Sequence, residues 1–301
     1  MSESNRALSG TAFATLLLIA LMMGANHVAA RVAFNNGVDV ATAVAFRSGV
    51  TAGVLSILLF IQHAPLALKA RHKRYLPSIG LLIGVQSLFL YSAVARLPVA
   101  LALLAFNTYP LWAALWDRLL YKRNPERAVL LAMPVLMVGL AMALDVFGAA
   151  SGLGAADQWG RIGAGVGFAL AAAATFGLAM ILTQHEAGDL DGRLRTASTM
   201  IFSGLIALAM VSAQGGFHLP QATPGWWGLA ALTFLYGTAF TIMFTVLPAL
   251  GVAGNSAIMN VEPVFALVLA WLILGQSIAA MQVAGALLVV GTVMVLGLRK
   301  R

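Results

Sequence analysis

Apolar runs of about 20 residues follow one another along the whole chain, separated by short polar stretches. We place spans near residues 8–30, 41–62, 76–95, 99–120, 127–146, 161–183, 196–214, 225–247, 253–274 and 279–298. Each is long enough to cross a hydrocarbon layer as a helix. The third and fourth are separated only by Arg96-Leu97-Pro98, where proline ends one helix and opens the next. The first run follows Arg6 and has the look of a leader peptide. So many similar runs come after it that we take it as a retained span.

Composition sharpens this picture. The 301 residues are 61% hydrophobic and 9% charged, against about 25% charged in soluble domains. So few charges cannot cover a water-soluble surface, whereas lipid needs none. The net charge of +8 would suggest nucleic acid on a soluble domain, but here the basic residues sit in the short segments between spans. Lys69, Arg71, Lys73 and Arg74 fill the second loop. Lys122, Arg123 and Arg127 fill the fourth beside Arg118, and Arg193 and Arg195 the sixth. The chain ends Arg299-Lys300-Arg301. This bias predicts cytoplasmic termini in a bacterial inner membrane. There is no cysteine, so disulfides and thiolate chemistry are excluded. The histidines (His27, His63, His72, His185, His218) show no metal spacing. We expect no cofactor and no nucleic-acid partner.

The segment from Gly148 to Gly160 is rich in Gly and Ala and reads as an extracytoplasmic linker. It divides the chain into repeats at 1–147 and 161–301. Asn107-Thr108-Tyr109-Pro110 in the fourth span matches Asn260-Val261-Glu262-Pro263 in the ninth, 153 residues on at both Asn and Pro. Gly10-Thr11-Ala12-Phe13-Ala14 more weakly echoes Gly165-Val166-Gly167-Phe168-Ala169. Five spans per half is an odd number, so the second half must enter the membrane from the opposite side. The expected fold is therefore all-α and integral to the membrane: ten transmembrane helices in two inverted five-helix repeats, with a solute site between the halves.

Several polar residues lie inside spans. Pro110 and Pro263 are expected as hinges that free backbone carbonyls beside Asn107 and Asn260. Glu262 is the one acidic residue deep in a span, at a cost of about 2.5–3.5 kcal/mol on insertion scales. Its counterpart in the first half is Tyr109. Arg47 lies several residues inside the second span, and both charges are candidates for gating or for orienting a solute. Arg31 ends the first span and is expected to snorkel; Asp39, nearer the surface, is a candidate partner for Arg47. Asn26, His27, Tyr91, Trp112, Phe176, Met180 and Tyr236 are the expected cavity wall, and each is equally an ordinary packing residue. Gly139, Gly163, Gly167, Gly285 and Gly291 suggest close helix contacts, and Asp117 with Arg118 an ion pair at a helix end. Enzyme signatures fail: His185-Glu186 is not followed by the second histidine of a zinc motif, and neither a G-x-S-x-G elbow nor a phosphate loop occurs. Transport energy would then come from gradients.

The run Asn260-Val261-Glu262-Pro263-Val264-Phe265-Ala266, with Trp271-Leu272-Ile273-Leu274-Gly275 after it, resembles the EamA-type signature of the drug/metabolite transporter superfamily. Gln282-Val283-Ala284-Gly285-Ala286-Leu287 and Gly291 continue the pattern, and Phe46-Arg47 and Gly24-Ala25-Asn26 with Arg31 resemble its first-half counterpart. The resemblance implies ten helices, cytoplasmic termini, two inverted repeats and a cavity lined by helices one, three, four, six, eight and nine. It also implies export of small metabolites, amino acids and aromatic ones among them, by alternating access. The partners so implied are a small-molecule solute and membrane lipid, for a monomer or homodimer. Gly275-Gln276 departs from the family's Gly-Glu and Tyr109-Pro110 from Glu-Pro. The chain also lacks the first-helix glutamate of the small multidrug members, so their proton mechanism does not transfer. Two further readings remain beside amino-acid export. One is a multidrug exporter of hydrophobic cations. The other, from a different class, is an intramembrane lipid-acting enzyme or a scaffold that transports nothing.

Overall fold

The computed structural model describes residues 10–63, 66–123, 127–249 and 261–299. Among these, all regular structure is helical: α1 (Gly10–Asn35), α2 (Val40–Ile61), α3 (Ala70–Arg96), α4 (Val99–Phe106), α5 (Tyr109–Tyr121), α6 (Arg127–Ala143), α7 (Ala155–Glu186), α8 (Gly192–Ala213), α9 (Thr223–Ala249), α10 (Glu262–Leu274) and α11 (Ala280–Arg299). Seven helices are long and apolar enough to cross a membrane, with Val99–Tyr121 taken as one; three further apolar helices are shorter. Large apolar side chains such as Phe60, Leu131, Trp227 and Phe234 stand exposed on the outside. Lipid, not water, suits that surface.

The helices pair across the two halves. Ser48 of α2 meets Ser203 of α8 at 3.0 Å, while Asp39 bonds Gln214 at one end and Gln62 bonds Arg193 at the other. The pair is therefore antiparallel. In α3 and α7, Leu97 packs on Gly165 and Arg71 reaches the carbonyl of His185. In α1 and α9, Asn36 lies by Gly225 and Leu16 and Ile19 share a cluster with Ala239. Both pairs are antiparallel too, as is α6 with α11, where Gly139 meets Val289 and Gly285 meets Ala143. By contrast α8 runs parallel to α3, since Phe202 packs on Gly80 and Ile206 on Gly84. Likewise α5 runs parallel to α7, with Trp112 on Gly177 and Tyr121 stacked on His185.

Some elements differ from the sequence reading. The fourth span is not one kinked helix; it breaks at Asn107 and Thr108, and Pro110 sits in the first turn of α5. Pro263 likewise sits in the first turn of α10. Proline is tolerated there because the first turn has no N–H to satisfy within the helix. Prolines inside continuous helices are instead Pro77 of α3 and Pro134 of α6. Helix α7 begins at Ala155, within the stretch expected to be linker. Gly139 and Gly285 do mark a close crossing. A side-chain carbon added to Gly167 or Gly291 would meet nothing within 4 Å, and one on Gly163 would meet only Trp159 of its own helix. Arg31 does not snorkel. Its guanidinium donates to the carbonyls of Val94 and Leu97, the unsatisfied end of α3.

Candidate functional site

Five helices bring polar side chains to one buried cluster at the middle of the bundle. Asn26 and His27 come from α1, Arg47 from α2, Ser87 and Tyr91 from α3, Tyr236 from α9 and Glu262 from α10. His27 is 4% exposed and its Nε2 lies 3.2 Å from Glu262 Oε1. Glu262 opens α10 at its first turn, where the free N–H groups and the helix dipole favour a negative charge. The Tyr91 hydroxyl donates to Asn26 Oδ1 at 3.1 Å, and the imidazole of His27 meets the Tyr91 ring edge-on at 5.6 Å.

Arg47 is 3% exposed. One guanidinium nitrogen donates to Ser87 Oγ at 2.7 Å. The Arg47 Cζ lies 3.9 Å from the centre of the Tyr236 ring and 4.6 Å from that of Tyr91. A guanidinium between two aromatic faces is held by their quadrupoles. Among the described residues it has no carboxylate partner. The partner expected for it, Asp39, lies elsewhere: it caps α2 through Thr42 N and pairs with His218 at 2.8 Å.

The cluster is under-satisfied. Among the described residues, its Asn26 Nδ2, His27 Nδ1 and Arg47 Nε are buried without a hydrogen-bond partner, and so are Arg31 Nε, Thr51 Oγ1 and Asn107 Nδ2. An unpaired buried polar atom costs about 1–3 kcal/mol.

Beside it lies an aromatic group. Phe106, Tyr109 and Phe176 pack with ring centres 5.0–5.7 Å apart. Tyr109 and Tyr236 both lie within electrostatic reach of Glu262. Trp112 and Met180, half-buried, continue this wall along α5 and α7. Asn107 and Thr108 form the break between α4 and α5, and the Thr108 hydroxyl returns to the carbonyl of Ala105. Of the residues singled out from sequence, Asn260 lies outside the described residues. Asp117 does not pair with Arg118. It pairs with His185 at 3.0 Å, and His185 stacks on Tyr121, whose hydroxyl donates to Glu186 at 2.8 Å. Sequence reading missed Ser87, Ser48, Ser203, Thr108 and Phe106. Ser87 had a signal: it precedes Tyr91 by one helical turn.

The EamA-like transporter family model matches this chain twice, over residues 10–144 and again over 163–298. The chain belongs to the EamA-like transporter family. It is a multi-pass membrane transporter of small solutes, and each of the two family matches supplies residues to the buried cluster. A solved structure, titled only as the crystal structure of a protein, aligns with a TM-score of 0.65 at 18% identity over 97% of each chain. At that identity the likeness is one of fold. No curated protein matches.

Proposed function

We propose that this EamA-family protein exports zwitterionic amino acids, apolar or aromatic ones above all, across the bacterial inner membrane. The observation that carries the reading is the division of charge in one buried cluster. Arg47 has no acidic partner among the described residues, and Glu262 faces an imidazole. A solute carboxylate matches the guanidinium of Arg47, and a solute ammonium matches Glu262. The rings of Phe106, Tyr109, Phe176 and Trp112 suit an apolar side chain.

The transport cycle we propose is alternating access between two inverted five-helix repeats, divided at 148–160, with ten crossings and cytoplasmic termini. The pairings described above support it: α1 packs antiparallel on α9 as α7 does on α3, and α2 and α6 each pack antiparallel on their counterparts α8 and α11. A second half entering from the other side gives that pattern. Asn107 and Asn260 are the polar parts of the site, and Pro110 and Pro263 start the half-helices that move.

The test is counterflow. Purified protein in liposomes should exchange tritiated amino acid for unlabelled amino acid, and Arg47→Met should lose at least tenfold in rate. A decarboxylated amine of the same side chain should compete poorly, because it offers nothing to Arg47. Absence of exchange with the full set of proteinogenic L-amino acids would overturn the reading. Preferential exchange of hydrophobic cations would establish the multidrug alternative.

A further inference from the structure

Helices α5 and α10 are counterparts, 153 residues apart, and each has a proline in its first turn. Their moorings differ. From α5, Trp116 Nε1 donates to the carbonyl of Ala174 in α7 at 3.0 Å. Asp117 meets His185 of α7 at 3.0 Å, and the Tyr121 ring stacks on that imidazole with centres 3.8 Å apart. The Tyr121 hydroxyl donates to Glu186 at 2.8 Å. These contacts run along the helix from its middle to its last residue.

The other repeat has apolar residues at all of these positions. Leu269, Ala270 and Leu274 stand 153 residues after Trp116, Asp117 and Tyr121, and Val32 and Ala33 stand 153 before His185 and Glu186. Beyond Glu262, the one α10 side chain with a hydrogen-bonding group is Trp271, 59% exposed. Among the described residues, α10 meets α1 through a polar side chain only where Glu262 faces His27, in the first turn. Past the far end of α10, Gln276 accepts from Val99 N of α4 at 3.1 Å. An apolar cavity lies beside the first turns of α10. Pro263, Val264 and Leu267 wall it on that side, Ala100 and Leu104 on the side of α4, and Ala286 on that of α11.

These differences decide which half-helix is free. Hydrogen bonds are directional. Drawing α5 away from α7 leaves partly buried polar groups without partners, which is costly. Apolar packing has no preferred direction, so α10 can slide on α1 without breaking such bonds. A close-packed interior resists a shifting helix, whereas a cavity holds no side chains to displace.

We infer that α10 is the half-helix that moves against its long partner during transport, swinging from α1 into the cavity beside α4 and α11, while α5 and α7 travel as one body. The cycle is then asymmetric, although the repeats share one design. The inference rests on the reading of an amino-acid solute. Arg47 stands on α2 and Glu262 on α10. A zwitterion held by both ties α10 to the rest of the bundle and so favours one position of that helix over the other. Tyr109 keeps its place against Phe176 throughout.

The chain has no cysteine, so pairs of spin labels can be placed on the full protein in phospholipid nanodiscs. One pair is Leu21→Cys with Val268→Cys, at exposed sites of α1 and α10. The other is Leu115→Cys with Gln184→Cys, at exposed sites of α5 and α7. Saturation with the amino acid that gives the strongest counterflow should move the first distance by about 2 Å or more and leave the second unchanged. A change in the second pair, or none in either, overturns the inference and leaves amino-acid transport standing. Filling the cavity is the second test. Ala286→Leu should slow counterflow about tenfold without lowering the melting temperature in detergent. Counterflow at the wild-type rate in this variant overturns the inference as well. Should Ala286→Leu fail to fold, the label distances decide. No counterflow with any amino acid overturns both the inference and the reading beneath it.

Discussion

Gly24 stands to α10 as Gly177 stands to α5. A side-chain carbon on Gly24 would lie 3.0 Å from Ala266 N and 3.3 Å from Phe265 Cβ; one on Gly177 would lie 2.7 Å from Ala113 N and 3.0 Å from Trp112 Cβ. All three pairs of counterparts, Gly24 and Gly177, Phe265 and Trp112, Ala266 and Ala113, are separated by the 153 residues that separate Asn107 from Asn260. Each glycine lets a half-helix begin against the backbone of a long helix of the same bundle. Tyr109 and Glu262, which open those half-helices, reach the buried cluster from these contacts.

Substitution at either glycine should therefore act on the site from behind. The atoms met are backbone, which yields little, so Gly24→Ala and Gly177→Ala should each cost about 1–3 kcal/mol of stability and slow exchange. Gly167→Ala, with nothing within 4 Å, should be stable and active. Thermal melting in detergent and counterflow rates check the comparison. Equal behaviour of all three variants would refute the role given to the close approach.

Ser48 and Ser203 hold the antiparallel α2–α8 pair at its centre, both fully buried. Replacing one leaves the other hydroxyl without its partner, so Ser48→Ala or Ser203→Ala should cost about 1–3 kcal/mol. The double variant removes both polar groups and should be less destabilised than the sum of the singles. The coupling energy from a double-mutant cycle measures this. Additive effects would mean that the hydroxyls find other partners.

Much of this architecture was legible in the chain, because lipid imposes a length and an apolarity that sequence shows directly. The repeat was legible through Asn-x-x-Pro, a motif tied to one backbone event, the restart of a helix. The Ser-Gly pairs at 48–49 and 203–204 escaped notice, since serine beside glycine is common in spanning helices. Positions of charged residues were readable, but their partners were not. Arg31 was expected at an interface and caps α3 instead; Asp117 was expected to meet Arg118 and meets His185. Partners depend on which helices pack, and packing joins residues far apart in the chain. The same holds for Arg47: its depth was evident, while its seat between Tyr91 and Tyr236 needed three helices in place.

That seat gives a prediction about Arg47 distinct from its charge. Lysine would keep the charge but would lack the planar group that lies against two rings and the second nitrogen for a carboxylate. Arg47→Lys should raise the half-saturation concentration for amino acid at least tenfold, about 1.4 kcal/mol, with a smaller effect on the maximal rate. Saturation curves in liposomes separate the two. A lysine variant with unchanged half-saturation would show that charge alone suffices.

The turn between α7 and α8 carries a latch. Asp189 accepts from Lys69 at 2.6 Å and Arg71 at 2.8 Å, and meets buried His72 at 2.9 Å. These groups join the start of α3 to the other half. The hydrogen bonds from Lys69 and then His72 outweigh desolvation and hold the Asp189 carboxyl well below the ordinary carboxylate range. A lowered carboxylate contributes stability above its unfolded value of about 3.9 and loses it as pH falls through the folded one. The latch should therefore stay shut throughout the neutral range and fail only in strong acid, whereas Asp189→Asn should open it at any pH. Ala187, buried at the base of this turn, is the place to look. The chain has no cysteine, so Ala187→Cys supplies a single thiol. It should react slowly with a membrane-impermeant maleimide at neutral pH, and several-fold faster when Asp189→Asn is added. Equal labelling in the two backgrounds would mean that Asp189 does not keep this end closed.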